Sequence, residues 1–294
     1  MKKAVDIALF VAPLVALALV ITFVVFNIVS LFEPRELVPI KTATLEETVT
    51  LDGFIFRDET VLVSGGQIEK IYCSDGEKIP AGAIVASDGS DIISEKSGYF
   101  YTQVDGYESI FTSAAALGLN VDNFDTVTTE NPFDDSKHAK PTQKPGAFAK
   151  VATDFKWYFA AKSADAGKFK SGETYKAAIG GANVELTLVR VSAGDGSAVL
   201  VFESGDIPSG KFFDRATAAT VTVAYHTGAA VPSDAVHDID KLKYVYIFYD
   251  GFARRRAVNL IFEQDGVCVI ESKNIDDGDL VIIAKNLYDG KVMH

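Results

Sequence analysis

Apolar and polar positions fall into two regimes along the chain. From Ile7 to Phe32 no residue is charged, and the polar side chains are Thr22, Asn27 and Ser30. As a helix rising 1.5 Å per residue, this run extends roughly 39 Å, against a hydrocarbon core of about 30 Å. Pro13 lies near its first turns, where a kink is tolerated in lipid. Beyond residue 33 the period drops to two. Thr48–Phe56, Gln67–Cys73, Val184–Val191, Ala198–Glu203, Thr220–Tyr225, Tyr244–Phe248, Ala257–Phe262 and Val267–Glu271 are rich in β-branched and aromatic residues, and each predicts a strand. Asp-Gly occurs nine times, at 52–53, 75–76, 88–89, 105–106, 195–196, 250–251, 265–266, 277–278 and 289–290. That dipeptide supplies the positive φ angles of tight hairpin turns, so many of the nine are expected to join antiparallel strands. The pattern predicts a mainly β chain behind one apolar helix. Residues 114–146 interrupt it, with short helical turns expected around Ser113–Leu119 and Val121–Phe124, then exposed loop and a domain boundary near 146. A second break, around Tyr225–Lys241, carries Gly228, Pro232 and two of the four histidines.

Two readings compete for the apolar run. A cleaved signal peptide has an apolar region of about 7–15 residues ending in a small-x-small cleavage site. Here the run is longer and leaves through Ser30-Leu31-Phe32-Glu33-Pro34, which predicts a retained transmembrane anchor. Lys2 and Lys3 precede it, and the positive-inside rule keeps them cytoplasmic and exports the remainder. The expectation is a single-pass plasma-membrane protein with an extracytoplasmic C-terminal domain.

Charge narrows the choice of partner. The formal net charge is −12, and the first 32 residues carry a net of +1, so the rest carries −13. Nucleic acid rewards the opposite balance and is excluded as a partner. Hydrophobic residues at 48% and charged residues at 23% place the exported part among folded domains.

Candidate chemistry is sparse. Cys73 and Cys268 lie in separate strand-like runs and are read either as one disulfide or as two small buried hydrophobes. His138, His226, His237 and His294 lack metal-ligand spacing. Asn274–Asp279 is oxygen-rich but lacks the alternating ligands and distal glutamate of a calcium loop, which leaves a hairpin turn. Gly65-Gly66 and Gly180-Gly181 precede no phosphate-binding helix and read as turns. No nucleophile elbow or Cys/His pairing occurs, so no catalytic, cofactor-binding or metal residue is assigned and an enzyme is not expected. Trp157 with Phe155, Tyr158 and Phe159 reads as barrel core and rim. Arg254-Arg255-Arg256 is the one basic cluster, read either as a charged edge that discourages aggregation or as a contact for lipid headgroups or an acidic partner.

The most specific feature is a pair of echoing segments. The first runs Ser64-Gly65-Gly66 through the strand Gln67–Cys73, the turn Asp75-Gly76, Ile79, the turn at Gly82 and the strand Ala83–Ala86. The second runs from Ser97-Gly98 through Tyr99–Val104 to Asp105-Gly106. The pair resembles the two half-motifs of the lipoyl-like barrel-sandwich hybrid in membrane fusion proteins, the periplasmic adaptor subunits of the HlyD and RND-adaptor families. Lys150–Tyr158 resembles the entry strand of that family's β-barrel, Ala230–Val236 its approach to the last sheet, and Asp277–Ile282 its closing strand. The resemblance covers about residues 45–294. It implies a division into 1–33 (cytoplasmic tip and transmembrane helix), 34–113 (linker strand and barrel-sandwich hybrid), 114–146 (loop), 147–225 (β-barrel) and 226–294 (a membrane-proximal-like β domain). It also implies a non-enzymatic efflux or transport adaptor that binds an integral-membrane transporter and forms a homo-oligomer. The alternative partner is another envelope protein, in a cell-envelope or division-associated scaffold that reuses the fold. Two departures qualify this. The hairpin between the half-motifs, Ala86-Ser87-Asp88-Gly89-Ser90-Asp91, has no lysine to carry a lipoyl or biotinyl group, so no cofactor is expected. It also lacks the long α-helical hairpin by which typical adaptors reach an outer-membrane channel. A short-arm adaptor suits a cell without an outer membrane, of the Gram-positive type.

Overall fold

The computed structural model describes residues 20–22, 36–129, 144–153, 155–206, 215–284 and 286–293. The transmembrane expectation for residues 7–32 therefore lies almost wholly outside the described residues. Residues 20–22 are helical, and among the described residues no helix is long and apolar enough to cross a membrane.

Among the described residues nineteen strands follow in chain order. The first eight are β1 (Glu36–Pro39), β2 (Lys41–Phe56), β3 (Glu59–Val63), β4 (Lys70–Ile71), β5 (Lys78–Ile79), β6 (Ile84–Ser87), β7 (Asp91–Ile93) and β8 (Gly98–Tyr101). Two helices come next, α1 (Ser113–Gly118) and α2 (Val121–Thr129). Then come β9 (Ala147–Ala152), β10 (Trp157–Ser163), β11 (Thr174–Ile179), β12 (Ala182–Ala193), β13 (Ala198–Ser204) and β14 (Ala216–Pro232). The last five are β15 (His237–Ile239), β16 (Leu242–Tyr249), β17 (Phe252–Gln264), β18 (Val267–Glu271) and β19 (Leu280–Ile283). Two compact units divide the chain: one comprises residues 46–224, the other 225–294 with the described part of 1–45.

In the 46–224 unit, β14, β11, β12, β13, β10 and β2 pair in that order, and β14 pairs back with β2 to close a six-stranded barrel. Alternation along β11 and β12 sends Tyr175, Ala177, Ile179, Val184, Leu186 and Leu188 inward, where they meet Phe159, Phe169 and Phe202. By contrast, β10 and β13 are buried on both faces. Their outer residues Tyr158, Ala160, Val199 and Val201 pack under Phe111, Ala116, Leu119 and Phe124 from the helical segment. Thr112 caps α1 by accepting from the Ala115 amide at 3.2 Å. The stretch after residue 113 thus begins as a lid on the barrel wall.

Between β2 and its partner β10 the chain makes an excursion into two small sheets, β3-β9-β8-β5 and β4-β6-β7. Leu62, Ile79, Val85, Phe100 and Val151 fill the space between them. β9, which the sequence resemblance assigned to the barrel range, is hydrogen-bonded to β3 and β8 in this body. Each Asp-Gly has its own use. Those at 88–89, 195–196, 250–251 and 265–266 turn between paired strands, with Asp250, Gly251, Asp265 and Gly266 all at φ of 50° to 79°. Gly53 instead sits inside β2, where a Cβ would come 2.4 Å from the Ala160 carbonyl oxygen and 2.6 Å from Phe159 Cζ. Its value there is close approach of two strands. Gly98 serves the same end in β8, where a Cβ would fall 2.0 Å from the Ala152 oxygen.

The other unit is a curled sheet ordered β1-β19-β16-β17-β18 and the 225–232 part of β14, with β15 on β16. It closes round Ile40, Val231, Val245, Ile247, Cys268, Ile270 and Val281. The opposite face of β16 is covered near Tyr246 by Leu287 and Met293 from the C-terminal segment. The break expected at Tyr225–Lys241 is mostly strand: β14 continues to Pro232, and a short 3₁₀ turn, Ser233–Ala235, leads into β15.

Candidate functional site

The two glycine-turn segments form a matched pair in space. Gly76 donates its amide to the Phe100 oxygen at 2.8 Å, and Asp75 accepts from the Thr102 amide at 2.6 Å and its hydroxyl at 3.0 Å, so the first turn is clipped onto the end of the second strand. The connection between them is the β6–β7 hairpin, with Gly89 at φ 100°. Asp88 at its tip accepts from Ser64 Oγ at 2.5 Å and Ser90 Oγ at 3.1 Å, and the Ser64 bond holds its carboxyl below the usual range. The outward face of the β4-β6-β7 sheet is apolar. Ile84 and Ile93 are cross-strand partners, both exposed, with Ile71 and Tyr72 alongside.

Below this body lies a set of charges that periodicity did not flag. Lys150, in β9, has no exposed surface, and neither does the side chain of Glu59, two residues before its cross-strand partner Val61 on β3. Glu59 accepts from Arg57 Nε at 2.6 Å, Arg215 Nη2 at 2.5 Å and Lys150 Nζ at 3.2 Å. Lys150 also reaches Glu108 at 3.3 Å and Asp105 at 3.7 Å. Arg215 forks onto Asp105 at 2.6 and 3.0 Å, and its guanidinium carbon lies 5.4 Å from the centre of the Phe111 ring. Arg57 sits 5.1 Å over Tyr101 in the same manner. Burial alone would raise the Glu59 and Asp105 pKa values. Arg57, Arg215 and Lys150 outweigh it at Glu59, while the Arg215 hydrogen bond and charge, with Lys150, outweigh it at Asp105; both carboxyls are held below their ordinary values. Burial likewise works against the Arg215 charge, but Glu59 and Asp105 more than restore it. Three cations balance three anions, so the cluster offers no excess charge to a ligand. Its chemistry is that of a clamp. It ties together the segment leaving β2, the stretch after β8, β9 and the approach to β14, where the chain passes between barrel and small sheets.

The other sequence candidates separate. Cys73 is half-buried and Cys268 buried; they belong to different units, and both are free thiols. Burial pushes both thiols up, which makes them poor nucleophiles. His226 stacks on Phe262 at 4.4 Å, while His237 lies 5.2 Å from Tyr246 with Nε2 buried and unbonded, and burial lowers its pKa. His138 and His294 lie outside the described residues. Among the described residues no three His, Cys, Asp or Glu side chains are grouped to hold a metal ion. In the Asn274–Asp279 loop, Asp277 accepts from the Thr42 amide at 2.8 Å and Asp279 from the Asp276 amide at 3.0 Å. Gly180 and Gly181, at φ 54° and 75°, make the β11–β12 turn. Trp157 is buried in the barrel and donates Nε1–H to the Asp206 oxygen at 2.8 Å, whereas Phe155 is exposed under Lys78 at 4.6 Å. Arg254, Arg255 and Arg256 lie on β17, opposite Ile247, Tyr246 and Val245 of β16.

No protein-family model and no curated protein sequence matches the chain. Solved structures similar to it include MacA from Actinobacillus actinomycetemcomitans, at 15% identity over 84% of this chain and 99% of that one, with a TM-score of 0.41. A putative efflux transporter from Bacteroides eggerthii is similar at 14% identity over 89% and 97%, TM-score 0.31. The membrane fusion protein Spr0693 from Streptococcus pneumoniae is similar at 10% identity over 60% and 100%, TM-score 0.27. At these identities and scores the likeness carries nothing about activity, which has to be argued from this chain's own residues. One of these neighbours, Spr0693, is a membrane fusion protein, the kind of protein that the paired glycine-turn segments resemble.

Proposed function

We propose that this chain is a non-enzymatic, membrane-anchored adaptor of the membrane fusion type, which binds an integral-membrane transporter or export complex on the extracytoplasmic side. The two-sheet excursion between β2 and β10 carries the reading. Its paired glycine-turn segments enclose their own core and are joined by a tight hairpin, as in a lipoyl-like barrel-sandwich hybrid, and it stands on a six-stranded barrel. Residues 7–32 supply the single transmembrane span, with Lys2 and Lys3 on the cytoplasmic side. The 225–294 unit is the counterpart of a membrane-proximal domain. With no lysine at the 86–91 hairpin, the body carries no tethered cofactor; with no helical arm there, it works close to its own bilayer. The exposed Ile84–Ile93 pair gives such a body an apolar face for a partner or a second copy.

Affinity purification of the full chain from its native membrane in mild detergent tests this. Recovery of a polytopic transporter in stoichiometric amount is the expected result. Recovery of envelope or division proteins alone would replace the adaptor with a scaffold that uses the same fold.

A further inference from the structure

We infer that Arg254, Arg255 and Arg256 form a docking point for anionic lipid headgroups on the extracytoplasmic leaflet; this rests on the reading of residues 7–32 as the membrane anchor. Val38 of β1 pairs with Val281 of β19, Val281 with Ile247 of β16, and Ile247 with Arg254 of β17. One row of the sheet therefore runs from the strand that leaves the anchor to the first arginine. Two residues closer to the anchor, Glu36 pairs with Ile283, and on β17 the same displacement leads from Arg254 to Arg256. Three interstrand steps separate β1 from β17, about 14 Å in all. Only four peptide units connect Phe32, the end of the apolar run, to Glu36, and a fully extended chain covers at most about 14 Å in that distance. Tether and lateral offset together keep the arginine row within about 28 Å of Phe32, a distance that the reach of the side chains and a Debye length of about 8–10 Å shorten further.

The chemistry of the row agrees. Among the described residues none of the three guanidiniums is ion-paired, in a chain whose net charge is −12. Arg254 lies 5.3 Å over Phe252 and Arg255 4.8 Å over Tyr244, while Arg256 Nη1 reaches only the Arg255 oxygen at 3.4 Å. The nearby Asp289 carboxylate is engaged by the Arg255 backbone amide at 2.9 Å. Alternation sends Arg255 to one face of β17 and its two neighbours to the other. Three adjacent, unpaired arginines on one strand repel one another in the free domain, and phosphate oxygens relieve that.

Arginine-specific modification by phenylglyoxal, read peptide by peptide, tests the inference on the full chain. The chain is reconstituted into vesicles of phosphatidylcholine alone and of phosphatidylcholine with phosphatidylglycerol, with Arg190 as internal reference. The expected result is a rate at residues 254–256 about five-fold lower in the anionic vesicles, the factor that one arginine near an anionic surface supplies, with Arg190 unchanged and protection lost at high salt. Equal rates in both vesicles, from a chain that floats with either, would overturn the lipid contact and leave the anchor standing. Failure to float with neutral vesicles would overturn the anchor and the placement of the arginines with it. Protection that needs a co-reconstituted membrane protein would assign the row to a protein partner and overturn the lipid contact.

Discussion

Replacing Lys150 with Met tests whether the buried charges hold the two-sheet body to the barrel. Met keeps most of the apolar stem, so the change removes an ammonium more than it opens a cavity. The cluster then passes from balance to one excess negative charge in a site where Lys150 and the Glu59 side chain have no exposed surface. Breaking a buried ion pair from one side costs about 3–5 kcal/mol, because the surviving partner is left desolvated and unpaired. The lower end applies at Glu59, which keeps Arg57 at 2.6 Å and Arg215 at 2.5 Å. Glu108 fares worse: among the described residues the Asp105 amide at 3.0 Å is the donor that remains to it. A loss of about 3 kcal/mol, roughly a 150-fold shift in the folding equilibrium, is the expected outcome. Glu108→Gln added to Lys150→Met removes the orphaned charge and should recover more than half of that loss. Urea unfolding of the full chain in detergent, followed by the fluorescence of Trp157, reports on the same compact unit, since it is the chain's one tryptophan and is buried in the barrel. A shift below about 1 kcal/mol for the single variant, or a double variant no more stable than the single one, would refute the clamp.

Two further outcomes follow from other sites. Gly53→Ala places a Cβ 2.4 Å from the Ala160 oxygen and should cost about 1–3 kcal/mol by the same fluorescence assay, whereas Gly65→Ala, with nothing within 4 Å, should stay within about 0.5 kcal/mol of the parent. Acid should act on the two units in separate ranges. His237 has a folded pKa below its unfolded value, so the 225–294 unit loses stability as pH falls below about 6.5. Glu59 and Asp105, also depressed on folding, contribute stability that is present above their unfolded values of about 4 to 4.5 and is lost as pH falls through their folded ones. Amide exchange along β16 against pH reads the first range, and His237→Phe should flatten it; Trp157 fluorescence reads the second.

The sequence by itself determined the elements. Period-two alternation located β12, β13 and the strands β16–β18, and Asp-Gly at 250–251 and 265–266 identified the turns between the last three, because a type I′ turn needs two positive φ angles that few other residue pairs tolerate. The short helices around Ser113–Leu119 and Val121–Phe124 were legible from local composition for the same reason: turns are read over three or four residues. The paired glycine-turn segments carried the family resemblance before any contact was known.

What only the tertiary structure decided depends on distant residues meeting. Asp52-Gly53 has the local chemistry of a turn and became strand interior because Phe159 and Ala160 cross it, which no window of residues around 53 contains. β9 joined the small sheets because its partners, Glu59–Val63 and Gly98–Tyr101, lie more than forty residues upstream. Lys150, Glu59, Asp105, Glu108, Arg57 and Arg215 are spread over more than 150 positions and look like ordinary surface charges until folding removes their water. In sequence Arg254–Arg256 is a basic triplet with two competing readings. The register from Val38 through Val281 and Ile247 to Arg254 is what sets it on the same row of the sheet as β1, three strands away, since strand pairing, unlike strand propensity, is a long-range choice.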